Sequence, residues 1–159
     1  MLKNLPWTTH AALLVARIAL GVVFVAHGAQ KLFTFGLAGT ADAFAGMGVP
    51  APQASALFAA VVELVGGAAL VLGAGVPVAA LLLVVDMLGA LVLVHAPHGV
   101  FVENGGVELV AALGAGALVL AVTGAGRYSL DHLVGARRGV RRSVTTASPT
   151  ADRTVAPVR

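Results

Sequence analysis

Four long apolar segments each carry an ionisable side chain where a helix in hydrocarbon ordinarily has none: Arg17, Glu63, Asp86 and Glu108. A charge at the centre of a bilayer costs roughly 2.5–3.5 kcal/mol on insertion scales, so such residues turn inward and find partners. The pattern predicts an all-α membrane protein, a four-transmembrane-helix bundle with a polar interior. Composition agrees, since 58% of the 159 residues are hydrophobic, 11% are charged and the mean hydropathy is +0.96. A soluble domain carries about 25% charged residues and could not hide this much apolar surface. The 20 glycines suit close helix contact in lipid, where small residues let backbones approach. The absence of cysteine excludes disulfides, thiol-based quinone reduction, iron–sulfur ligation and cysteine zinc sites.

The first helix is expected from about Ala11 to Phe33, with Trp7 before it as an interfacial anchor. Arg17 interrupts the apolar run and no clean small-residue cleavage site follows, so a retained span is expected rather than a removed leader. Pro50 and Pro52 precede a second helix from Ala54 to Leu72. Gly73-Ala74-Gly75 is a tight turn, and Pro77 opens a third helix from Val76 to about Val94. A loop rich in Pro and Gly leads to a fourth, from Val107 to about Val122. Each span is roughly 16–23 residues, near the ~20 that cross a hydrocarbon core.

Positive residues set the orientation. Lys3 precedes the first helix, and six of the ten Lys and Arg residues lie between Arg137 and Arg159. The loops 34–52 and 96–106 contain neither Lys nor Arg. By the positive-inside rule both termini are cytoplasmic and those two loops external, as an even number of spans requires. The chain thus divides into an N-terminal segment 1–10, a membrane domain 11–135 and a basic tail 136–159, whose composition predicts disorder. A juxtamembrane Arg cluster of this kind is a topology signal, and no nucleic-acid partner is expected. In the first external loop Leu37, Ala41, Phe44, Met47 and Gly48 recur at helical spacing, which fits a short interfacial helix.

A rise of 1.5 Å per residue puts Glu63 and Asp86 near mid-membrane and Arg17 in the cytoplasmic third. Arg17 could reach one of these acids and neutralise it; equally, such a pair can serve only to fix helix register. A second group gathers at the outer end. His27 and Lys31 share a helical face, His95 closes the third helix, His98 follows it and Glu108 opens the fourth. A cation, an acid and imidazoles together can hydrogen-bond a quinone carbonyl and move protons. The bland alternative is Lys31 and helix-end histidines reaching water, with Glu108 complementing its helix dipole. His95 lies nine positions from Asp86, the opposite face of an ideal helix, so the two are not expected in one site. His27 and His95 are the residue type that ligates a b-type haem. With aromatics at 5% and no supporting histidine spacing, haem is not expected; nor is a metal, since the candidate ligands form no motif.

Arg17-x-x-Leu20-Gly21 and His27-Gly28-x-x-Lys31 resemble the first helix of the DoxX family of small bacterial membrane proteins. Glu63-x-x-Gly66-Gly67-x-x-Leu70-x-x-Gly73 resembles its second helix, and Gly105-Gly106-x-Glu108 the start of its fourth. Gly124-x-Gly126-x-x-Ser129-Leu130-Asp131 is similar to its closing segment. The resemblance covers about residues 10–135 and implies a four-helix, multi-pass protein of the bacterial plasma membrane. Family naming points to subunits of a terminal quinol oxidase or a thiosulfate:quinone oxidoreductase, with members linked to oxidative-stress defence.

The expectation is an accessory subunit of a quinone-linked redox system, in which Arg17, His27 and Lys31 hold a quinone headgroup and Glu63 and Glu108 exchange protons. Its expected partners are the lipid bilayer and either other redox-complex subunits or a second copy of itself. Two further classes remain open. One is a non-catalytic scaffold recruiting soluble redox or oxidative-stress enzymes through the tail. The other is a small-solute or proton transporter, since intramembrane acids serve such relays too.

Overall fold

A computed structural model of the chain describes residues 6–135, where helices and turns account for all regular structure. The basic tail 136–159 and Lys3 lie outside the described residues. The first span is α1 (Trp7–Ala29), continued by a π turn at Gln30–Thr34. A short helix, α2 (Gly36–Gly46), then folds over the outer end, where the spacing of Leu37, Ala41 and Phe44 predicts one. The second span joins α3 (Pro52–Val61) to α4 (Gly67–Leu72) through a π turn at Val62–Gly66. The third runs from α5 (Val76–Ala90) through a π turn at Leu91–His95. Short 3₁₀ turns at Ala96–His98 and Val102–Asn104 lead to the fourth span, α6 (Glu108–Thr123).

The first three spans reach 28, 21 and 23 residues, long and apolar enough to cross a bilayer. At 16 residues α6 is shorter, rising about 24 Å. The first span begins four residues earlier than the apolar run suggests, so Trp7 is its first residue and stands 73% exposed. Ala51, in the left-handed region at φ 47°, turns the chain into Pro52, whose missing N–H costs nothing at a helix start. Large apolar side chains such as Val22, Val65, Leu81 and Val119 point outward, as a lipid-facing surface requires.

Packing divides into α1 against α4, α2 against α3, and α5 against α6. Close backbone approach sets the first contact. A Cβ on Gly67 would lie 2.7 Å from Val25 N and 2.8 Å from Gly21 O, so only glycine lets these helices meet. One turn outward, Gly28 rests on the backbone of Leu64. Phe24, Leu70, Val76, Leu83, Leu113 and Leu120 belong to the apolar core, of which Leu70, Val76, Leu83 and Leu120 fill the cytoplasmic half of the bundle. The outer half is differently built.

Candidate functional site

Gly28 brings the outer end of α1 against the middle of the second span, and two charges meet there. Lys31 Nζ donates to Glu63 Oε2 at 2.6 Å, with the two side chains 19% and 6% exposed. Each residue lies in a π turn, and the third π turn ends at His95. Such turns bond i→i+5 and leave carbonyls of the α-helical ladder to be satisfied elsewhere; they recur at functional sites. Thr40 of α2, itself buried, donates its hydroxyl to Lys31 O at 2.9 Å and Gly36 O at 3.0 Å. The loop helix therefore holds the π turn that aims Lys31 inward.

Asp86 stands beside this pair, close enough to feel the charges of both Glu63 and Lys31. All three line a cavity of about 740 Å³, together with His27 and His95. Apart from Ser55 its walls are otherwise apolar, with Phe24 and Leu113 deep inside and Phe44 of α2 and the adjoining Met47 toward the outer surface. The expectation that His95 and Asp86 lie on opposite faces is corrected here. Nine ideal α-helical residues would put them about 180° apart. The Leu91–His95 turn takes more residues per revolution, which swings His95 back toward the cavity. Its Nδ1 lies 2.6 Å from Gly105 O, which fixes the ring against the loop before α6.

The other proposed site residues are elsewhere. Arg17 is fourteen residues before Lys31, roughly 21 Å down the helix, and its guanidinium turns toward the cytoplasmic end. There it donates to Ala125 O at 2.8 Å and Tyr128 O at 2.7 Å, and is 1% exposed. Pairing of Arg17 with Glu63 or Asp86 is thus replaced by Lys31–Glu63 at one end and by backbone carbonyls at the other. Gly73 packs on Arg17 Nη1 and leaves no room for a Cβ. Asp131 completes this latch, accepting from Gly75 N at 2.7 Å and Val76 N at 3.1 Å to cap α5. The closing motif, Gly124 to Asp131, therefore seals the cytoplasmic end. Glu108 is exposed and accepts from Val102 N at 2.8 Å, bracing its own loop rather than lining the cavity. His98 is exposed in that loop too.

The donor set suits a small carbonyl-bearing ring. Lys31 has three N–H groups and spends one on Glu63; His95 spends its Nδ1–H on Gly105 O and keeps Nε2 as an acceptor, while the His27 imidazole can donate or accept. The volume lies in the range of small-molecule sites, about 300–1,000 Å³. Among the described residues no group of three His, Cys, Asp or Glu is placed to hold a metal ion.

Comparison with known proteins gives a consistent result. Residues 12–96 match the DoxX family. Inner membrane protein YphA of Escherichia coli is 32% identical over 125 residues, covering 76% of this chain and 88% of that protein. No solved structure matches the chain.

Proposed function

The chain belongs to the DoxX family and is a multi-pass protein of the bacterial plasma membrane, and from that premise we propose that it binds a membrane quinone as an accessory subunit of a quinone-linked redox system. One observation carries the reading: Lys31, Glu63, Asp86, His27 and His95 converge on one apolar-walled cavity in the outer half of the bundle. A quinone headgroup offers two carbonyl acceptors on a flat apolar ring. Lys31 and an imidazole N–H supply donors for the carbonyls, and Phe24 and Phe58 supply apolar wall for the ring. Bound quinone would contribute two-electron, two-proton redox chemistry. The part of this chain is to orient the head, exclude water and exchange protons through Glu63 and Asp86. With no cysteine, the chain has no thiol or iron–sulfur chemistry of its own, so electrons pass to or from a partner enzyme.

The closed cytoplasmic half favours binding over passage. Below the cavity the core is filled by Leu70, Leu83 and Leu120, and beneath it the Arg17 latch holds the closing segment. A transporter needs a route through that half. The test is bound-quinone content of protein purified in mild detergent, by organic extraction and absorbance, beside Glu63→Gln. Near-stoichiometric quinone that falls severalfold in Glu63→Gln is the expected result. Protein without quinone in either form overturns the reading in favour of a scaffold.

A further inference from the structure

Two carboxyl groups touch inside the bundle. Asp86 is in hydrogen-bonding contact with Glu63, and the two residues are 7% and 4% exposed. A hydrogen bond between two carboxyl groups needs a proton on one of them, since a carboxylate only accepts. Charge sets the number of protons. Lys31 is the one Lys or Arg lining the cavity, and its ammonium donates to Glu63 Oε2. Two carboxylates against one ammonium would leave a net negative charge in an apolar setting, and two neutral acids would strand the ammonium. One proton makes the trio neutral.

The unpaired atom says which acid holds it. Asp86 Oδ2 has no hydrogen-bond partner among the described residues. Left unpaired, a carboxylate oxygen is costly, whereas the carbonyl oxygen of a neutral acid tolerates the loss far better. Glu63, held by the ammonium at 2.6 Å, is the ionised member.

The neighbours of the pair differ on its two sides. His27 stands at its level, beside the Gly28 that rests on Leu64, and His95 lies outward, nine residues beyond Asp86. Both histidines are half-buried, as is Lys31. His95 donates Nδ1–H to Gly105 O and keeps Nε2 as an acceptor. From α2 and α6 the cavity receives only apolar side chains, Phe44, Leu109, Val110 and Leu113. Toward the cytoplasm no side chain can carry a proton. Residues 18–26, 64–85 and 109–122 contain no ionisable, hydroxyl or amide side chain. Leu70, Val76, Leu83 and Leu120 fill that half, a barrier of roughly 15 Å by helix rise from Asp86 to the start of α5.

We propose that Glu63 and Asp86 form a one-proton site loaded from the outer aqueous phase: Asp86 carries the proton and donates it to Glu63, which Lys31 keeps ionised. Any reaction in the cavity that takes up or yields a proton then exchanges it with the outer phase and not with the cytoplasm. The site is built from this chain's own side chains and holds for any occupant of the cavity.

N,N′-dicyclohexylcarbodiimide tests it. This apolar reagent enters from lipid and reacts with a carboxylic acid, not with its anion. The carboxyl oxygen bonds to the carbodiimide carbon, the proton passes to nitrogen, and acyl transfer leaves a stable N-acylurea. The full-length protein is labelled in right-side-out membrane vesicles, with the pH of each side buffered separately, and peptide mass spectrometry locates the adduct. Asp86 is expected to be labelled, and its labelling to fall about tenfold as the outer pH rises from about 6 to about 9. Raising only the luminal pH should leave it unchanged. Labelling that follows the luminal pH overturns outer loading. An adduct on Glu63 in place of Asp86 overturns the assignment of the proton, and no adduct on either at an outer pH of about 6 overturns the site. None of these outcomes requires a variant to fold. In Lys31→Met no ammonium holds Glu63 ionised, so the adduct should spread to Glu63; labelling confined to Asp86 in that variant overturns the part given to Lys31. Quinone content is a separate measurement: protein purified without quinone leaves the proton site standing, and failure of the labelling leaves the quinone reading standing.

Discussion

Lys31 and Glu63 meet at 2.6 Å, each presented by a π turn on a different span. Their contact lies where Gly28 lets the first and second spans approach. A buried ion pair is weak support for stability, because desolvation offsets much of the attraction. Removing one partner is another matter, since the charge left behind has no water to repay it.

Lys31→Met and Glu63→Gln should therefore each lower thermal stability in detergent by about 3–5 kcal/mol. The double variant should lose less than the sum of the two, because neither member of the pair is then left facing a neutral partner, although Asp86 still loses its cation. A thermal melt of the four proteins measures the coupling. If the losses simply add, the pair does not interact as its geometry says.

Gly28→Ala tests the approach that creates the pair. Its new Cβ would fall 2.8 Å from Leu64 Cα and 2.9 Å from Ala60 O, both backbone atoms that cannot step aside. The helices must separate, at a cost of about 1–3 kcal/mol, typical of overpacking. Gly39→Ala on α2 is the control, since a Cβ there meets nothing within 4 Å. Matching melting temperatures for the two variants would contradict the close contact.

Arg17→Lys addresses the opposite end. A single ammonium cannot span Ala125 O and Tyr128 O as the guanidinium fork does. Each charge-assisted bond contributes about 1.5–3 kcal/mol, so stability should fall by about that amount as one bond is lost. Limited proteolysis should cut the 124–131 segment faster, while quinone content stays unchanged, because the cavity lies roughly 21 Å away by helix rise. Loss of quinone in Arg17→Lys would return Arg17 to the binding site.

The sequence makes the membrane bundle, its turns at Pro52 and Pro77 and the inward placement of Glu63 and Asp86 legible, because hydropathy and proline act locally. The destination of Arg17 is not legible: its partners are the carbonyls of Ala125 and Tyr128, and a carbonyl carries no residue signature. Nor does a 3.6-residue period reveal a π turn. Counting nine ideal positions from Asp86 separates His95 from it, whereas the Leu91–His95 turn brings both to the cavity wall. Glu108 was visible as an acid in an apolar setting, yet its carboxylate is used by the Val102 amide six residues back. Thr40 carries no motif of its own: with Asp42 it is one of two polar side chains in a loop helix otherwise made of small and apolar residues, and only its place nine residues beyond Lys31 hints at its role.

Thr40→Val follows from that residue's role. Valine keeps the shape and burial of the side chain but removes the one hydroxyl donor shared by Lys31 O and Gly36 O. The Lys31 carbonyl, released from the α-helical ladder by the π turn, then loses the donor that satisfies it, costing about 1–3 kcal/mol. The turn can relieve this by reverting toward α-helix, which rotates Lys31 away from Glu63. Thr40→Val should thus lower both melting temperature and bound quinone, while Thr40→Ser, which keeps the hydroxyl, restores the quinone. Restoration by serine separates hydrogen bonding to Lys31 O from mere packing; a Ser variant as depleted as Val would mean that the methyl group, not the hydroxyl, matters.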